Sequence, residues 1–484
     1  MERRNIINSY ELNVNDIIVD VSIISDEKEP VPIYHISITN IAETTKIILE
    51  KIREEFISQD TNSLKSDDLA DTSNIQEHFK NSIMELLKKY FPTANKKTMD
   101  MLINYVLQQN IGLGNIEILL KDSNLEEIVI NNAKDPVWVY HRKHGWLKTN
   151  VIIPSEVRVR HYSTIIGRDV GKEITNLNPL MDAHLKTGDR VNATLIPISS
   201  KGNTITIRKF AVKPWTITDF IKEGAITYYG AALLWLAVQN ELSILITGGT
   251  ASGKTSMLNV ISNFFPPNQR ILSLEDTREL MFPDVLHWVP LETRLPNPEG
   301  KGGVSMLDLV VNSLRMRPDR IVVGEIRKKE EAEVLFEAMH TGHSVYGTLH
   351  ANNVRETVNR LTNPPIGLPK QVLSALSLIV VQNINRRTGK RRTLQIGEVF
   401  PNGDAQPIMQ LDIAKDKLEN VNEPTTIYET LKLYSGHSKE DIRKDMEEKI
   451  NVLKWMVAND ITDLNKIGLI MSNYYRKKSF KEII

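Results

Sequence analysis

Residues 248–255 read GGTASGKT, and this stretch constrains the fold more than any other. Gly248, four residues, then Gly253, Lys254 and Thr255 match the eight-position phosphate-binding loop. An apolar run, Leu242 to Ile246, precedes it and reads as a buried strand, and Thr255 to Phe264 follows with helical spacing. The motif needs that strand–loop–helix setting. Its glycines let main-chain N–H groups crowd round a polyphosphate, and the helix N-terminus adds a partial positive charge. Lys254 brings a full charge to the outer phosphates, and Thr255 supplies a hydroxyl for Mg²⁺. Gly248, Gly249, Thr250, Ala251, Ser252, Gly253, Lys254, Thr255 and Ser256 are therefore expected to hold a nucleoside triphosphate.

Around this loop, the 484 residues suggest about two to four domains. Strand-like runs at 16–24 and 31–38 and a helical stretch at 45–56 open the chain. A polar, charged segment at 58–74 reads as a loop or linker. Phe79, Ile83, Leu86, Leu87 and Tyr90 keep helical spacing within 78–110. From 112 to 208 the pattern is α+β, with strands expected at 127–131, 137–140 and 204–208. Pro214 marks a break at 210–216. Beyond it, strands and helices alternate, which argues for an α/β domain with a parallel sheet covered on both faces. The end of the chain, from 425, reads as amphipathic helices. The expected division is 1–75, 76–209, a linker at 210–216, 217–424 and a tail at 425–484.

Acidic residues recur where this chemistry needs them. In RILSLEDTREL, residues 270–280, a short strand delivers Glu275, Asp276 and Glu279 at its carboxyl end, where open α/β sheets bind ligands. Glu279 is the candidate to orient or deprotonate a water for hydrolysis; for all three acids, capping of the next helix or loop is the alternative. In RMRPDRIVVGEIR, Glu325 emerges from a second apolar strand and can reach Mg²⁺ through water, or the water itself. His350 ends a third strand, 344–349, where an imidazole can report on the terminal phosphate. His340 and His343 lack the third ligand of a familiar metal pattern. Upstream, Arg190 and Arg208 flank an expected strand pair. They are either surface residues or cations supplied to the transition state from another domain or subunit.

Taken in order, these segments resemble the secretion ATPase superfamily of type II secretion, type IV pili and the archaeal swimming filament. GGTASGKT resembles its Walker A box, LEDTREL its Asp box, RPDRIVVGEIR its atypical Walker B box and TGHSVYGTLHA its His box. The resemblance extends to GLGNIEILLKDSNLEEIVINN and the GDRVNA/TIRKF pair, and spans about residues 80–400. It implies a ring hexamer. Each subunit would join an α+β N-terminal domain to a RecA-like P-loop NTPase domain, with ATP and Mg²⁺ between them. Lys254 and Thr255 would hold phosphate and metal, with Glu325 on the metal through water. Glu279 and Glu325 would organise the water, Arg190 and Arg208 would reach the nucleotide, and His350 would couple hydrolysis to motion. Many relatives carry arginine at the position of His184, so that contact is absent here. The stretch 140–150 and the helical tail look most like archaeal members. The resemblance implies a motor at the cytoplasmic face of the membrane, working on an integral-membrane platform protein.

Composition bears on the rivals. Lys plus Arg and Asp plus Glu are equal at 60 each, so no nucleic-acid footprint shows, and a ring DNA translocase or RecA-type ATPase is the second reading. A guanine-selecting Asn-Lys-x-Asp element is missing. With no cysteine, thiolate zinc modules are excluded. The longest apolar run, 231–238, is far short of the roughly 18 residues that span a bilayer, so a soluble, intracellular protein is expected. RRTGKRR, residues 386–392, reads as a hairpin turn or as a surface for acidic headgroups.

Overall fold

The computed structural model describes residues 5–60, 72–110, 112–185, 187–210, 214–294, 296 and 300–476. The chain forms two compact units, Met1–Val212 and Lys213–Ile484. Most of the expected linker at 58–74, residues 61–71, lies outside the described residues, as do 211–213 of the expected break.

The first unit is built on a nine-stranded sheet: β1 (Asn5–Val14), β2 (Ile17–Ser25), β3 (Ile33–Ile38), β4 (Leu125–Ile130), β5 (Trp138–His141), β6 (Gly145–Thr149), β7 (Leu180–His184), β8 (Arg190–Thr194) and β9 (Thr204–Arg208). Their order is β1-β2-β3-β6-β5-β4-β9-β8-β7, with β3 and β6 parallel and every other pair antiparallel. Strand β2 shows the cause: Ile17, Val19, Val21 and Ile23 are buried at every second position. Strand β1 is an edge strand of which only the second half alternates, with Tyr10, Leu12 and Val14 turned to the core. It is held by a two-residue hairpin turn at Asn15 and Asp16, both with positive φ, which suits the twist of the flanking strands. The helical stretch expected at 78–110 is two helices, Thr72–Tyr90 and Lys96–Asn110, separated around Pro92. With Glu43–Asp60 they close a small separate core around Leu49, Ile52, Ile83, Leu87 and Ile103.

The second unit has its own nine-stranded sheet: β10 (Ile244–Gly248), β11 (Arg270–Glu275), β12 (His287–Glu292), β13 (Arg320–Val323), β14 (Ser344–Leu349), β15 (Leu378–Ile384), β16 (Arg391–Val399), β17 (Ala405–Asp412) and β18 (Lys417–Asn420). The order is β12-β11-β13-β14-β10-β15-β16-β17-β18. The strands are parallel from β12 through β15 and antiparallel from there to β18. Successive side chains divide between two cores, as a sheet covered on both faces requires. Ile246, Val322, Tyr346 and Val380 face one core, while Leu245, Val323, Val345 and Val381 face the other.

Helix Tyr228–Gln239 is apolar on all sides because it is covered on all sides: every residue from Gly230 to Val238 is buried. The tail helices supply part of that cover. Met446, Val452, Leu453, Met456 and Ile470 belong to the same core as Trp235. Trp235 Nε1 donates to Tyr475 Oη at 3.0 Å, and Tyr475 donates to the Phe264 carbonyl at 2.6 Å. Lys449 is fully buried, lies over the Trp235 ring and bonds Asp445. Among the described residues, no helix is long and apolar enough to cross a membrane.

Candidate active site

Three neighbouring parallel strands deliver the chemistry. β10 ends at the phosphate loop, β14 ends before His350, and β13 ends one residue short of Gly324, which precedes Glu325. The register puts β14 between the other two, so these groups meet at one carboxyl edge of the sheet.

The loop geometry explains its glycines. Gly248 has φ +153°, and a Cβ there would lie 2.4 Å from the Gln382 carbonyl oxygen and 2.4 Å from Ser252 Oγ. Gly253 has φ +95° and starts helix Lys254–Ser262 without a side-chain cap, so first-turn N–H groups open onto the loop. Lys254 Nζ donates to the Gly248 and Gly249 carbonyls at 3.1 and 2.9 Å, which keeps its charge at the loop. Ser252 Oγ donates to the Gly249 carbonyl at 2.8 Å. Thr255 and Ser256 lie in the first helical turn, half-buried. Left-handed glycines, an uncapped helix N-terminus and a fixed ammonium make a cradle that fits a phosphate chain.

Of the acids at the end of β11, Glu275 is inside the protein and Glu279 lies on the following loop. Glu275 Oε1 accepts the N–H of Glu279 at 2.8 Å and of Leu280 at 2.9 Å. Asn259, from the helix after the phosphate loop, accepts the N–H of Met281 at 2.9 Å. The backbone carrying Glu279 is thus tied both to its own strand and to the helix after the phosphate loop. Burial pushes the Glu275 carboxyl up to about 7, against a smaller downward pull from the two N–H donors.

Glu325 and His350 come together: Oε1 to Nε2 is 2.9 Å. Burial and the nearby Lys254 charge push the His350 imidazole down, while Glu325 opposes them. Arg327 completes the group. Its Nε and Nη2 reach Glu325 Oε2 at 2.8 and 2.5 Å, and Nη1 reaches Asp276 Oδ2 at 2.6 Å. One guanidinium therefore joins the ends of β11 and β13. Sequence reasoning misses Arg327, and for Glu275 it offers only the alternative of capping the next element, which matches the two N–H groups that its carboxylate accepts. The signal for Arg327 is its place two residues after Glu325 at a strand end. Glu325, Arg327, His350 and Arg360 line a cleft of about 300 Å³.

Arg190 and Arg208 belong to the first unit and stand directly opposite each other on β8 and β9. Arg190 makes a two-pronged pair with Asp182, at 3.2 Å from Nε and 2.8 Å from Nη2. His184 faces Arg190 from β7, and Glu127 faces Arg208 from β4. The ring nitrogens of His340 and His343 face the main-chain carbonyls of Val372 and Ala338 at 3.2 Å each. Among the described residues, no group of three or more His, Asp or Glu side chains forms a metal cluster.

Residues 173–463 match the family described as type II/IV secretion system protein. Two uncharacterized proteins of Methanocaldococcus jannaschii are 35% and 36% identical over 386 and 349 residues. Those matches cover 77% and 70% of this chain, and 69% and 46% of the relatives, so the chain spans less than half of the second. A solved structure, the Legionella pneumophila ATPase DotB, is 19% identical with a TM-score of 0.41, covering 76% of this chain and 93% of that one.

Proposed function

The chain belongs to the type II/IV secretion system protein family, and from that premise we propose that it is an ATP hydrolase working as a hexameric motor. The observation that carries this reading is the meeting of Lys254, His350 and Glu325 at the ends of three adjacent strands. Lys254 and the loop N–H groups hold the phosphates. Glu279 and Glu325 handle the attacking water: a carboxylate accepts its proton or fixes its lone pair in line. His350, bonded to Glu325, registers whether that carboxylate is engaged and passes the change to β14. Mg²⁺, held by Thr255 and through water by Glu325, would neutralise charge across the phosphates when bound. Arg190 and Arg208 would bring cations to the nucleotide. In the same reading, 217–424 is the RecA-like ATPase domain, 76–209 the family's N-terminal domain, and 1–75 and 425–484 additions.

We further propose that this motor powers a pilus-like filament or secretion machine of archaeal type, from the cytoplasmic face of the membrane, through an integral-membrane platform protein. The test is steady-state ATPase activity against protein concentration, with mass measured with and without a non-hydrolysable ATP analogue. Activity rising cooperatively as a hexamer forms is expected. Full activity in a monomer, or an inert ring, would overturn the motor mechanism. Glu279→Gln and Glu325→Gln should each bind ATP and stall, and normal turnover in either removes that residue from the chemistry.

A further inference from the structure

The basic run 386–392, unused by the proposed function, forms the tip and first residues of the β15–β16 hairpin. Asn385 builds the turn: its Oδ1 accepts the N–H groups of Arg387 and Thr388 at 3.0 and 3.2 Å. Strand alternation then sends Arg391 and Arg392 to opposite faces. Arg392 holds Asp416 through Nε at 2.8 Å and Nη2 at 2.9 Å, and Lys390 joins at 3.1 Å. These cations pull the Asp416 carboxyl down to about 2, so the anchor persists at any ordinary pH.

Arg391 turns the other way, onto the phosphate loop. Its Nε donates to the Ala251 carbonyl at 2.9 Å. Its Cδ packs at the start of the loop helix, where a Cβ on Gly253 would meet it at 3.5 Å. Ala251 has φ +61°, a left-handed conformation that alanine does not favour, so a hydrogen bond to its carbonyl helps to hold the loop apex.

We propose that Arg391 is a positioning residue for the nucleotide: it fixes the apex of the phosphate loop through Ala251 and sets a second cation beside Lys254 for the phosphate chain. This rests on the nucleotide reading of the site. The guanidinium suits the role, since it keeps its charge at every working pH. Arg386 and Arg387, exposed in the same turn, provide a control that removes two positive charges, one more than Arg391→Ala, outside the contact with Ala251.

The experiment titrates fluorescent ATP and ADP analogues into the full chain and measures steady-state ATPase activity. The proteins are wild type, Arg391→Ala, Arg391→Lys and the Arg386→Ala/Arg387→Ala pair. Arg391→Ala should weaken binding of both nucleotides about tenfold, the loss typical of one charge-assisted hydrogen bond. KM should rise by a similar factor, with kcat at saturation changing less than about threefold, because the interaction is made before and during the reaction alike. Arg391→Lys should recover part of the affinity, and the control pair should bind as wild type does. If Arg391→Ala does not fold, Arg391→Gln replaces it with the same expectation. Wild-type affinity in a folded Arg391 variant overturns the inference, and so does an equal loss in the control pair, which would mean bulk charge. A wild-type protein that binds neither analogue overturns the nucleotide reading itself, and is thereby told apart.

Discussion

Glu275 ought to make the stability of the second unit depend on pH with a predictable sign and size. Its side chain ends β11 at 2% exposure, with Oε1 accepting two main-chain N–H groups and Oε2 buried without a hydrogen-bond partner among the described residues. Burial raises the carboxyl from 4.5 to about 7. That difference is worth about 3 kcal/mol. The folded protein holds this proton more tightly than the unfolded chain does. The stability it lends is complete below the unfolded pKa and is lost as pH rises through about 7. Glu275→Gln keeps an acceptor for both N–H groups and cannot ionise. Urea unfolding followed by tryptophan fluorescence, at a series of pH values, compares the two proteins with every other titrating group cancelled. The variant should gain on wild type by up to about 3 kcal/mol between about pH 5 and about pH 9. A difference that stays flat across that range, or moves the other way, refutes the assignment of a buried, proton-holding carboxyl.

Gly248→Ala places a Cβ 2.4 Å from the Gln382 carbonyl, so nucleotide affinity should fall at least about tenfold; equilibrium titration with a fluorescent ATP analogue reads it. Arg327→Ala removes a cation that helps to depress His350, so the imidazole pKa should rise, visible in the histidine NMR titration. The same variant also unties Glu325 from Asp276, and turnover should fall about tenfold in a coupled ATPase assay. In the first unit, Asp122 accepts the hydroxyls of Tyr10 and Tyr34 at 2.5 and 2.6 Å. Asp122→Ala leaves both without their acceptor in a buried setting and should cost about 2–5 kcal/mol in chemical unfolding.

The phosphate loop, its flanking strand and helix, and β14 were legible because each rests on local signals: glycines at positive φ, short apolar runs, and a strand-to-helix change of period. Glu279, Glu325 and His350 could be marked as strand-end groups for the same reason. The pairing of Glu325 with His350 could not, since it depends on β14 lying between β10 and β13, and strand order is a long-range choice. Nor could Glu275 be separated from Glu279. Both are glutamates in one short segment, and only burial makes one a buried anchor for the backbone that carries the other. Strand β1 escaped notice because its alternation is short, confined to Tyr10, Leu12 and Val14, and the residues before them are polar or exposed. The tail helices read as amphipathic, but that Met446, Leu453 and Met456 would cover Trp235 was settled by packing. The sequence by itself determined the local conformations and the kinds of chemical group present. The tertiary structure decided which of those groups meet, because strand order and burial arise from contacts between residues far apart in the chain.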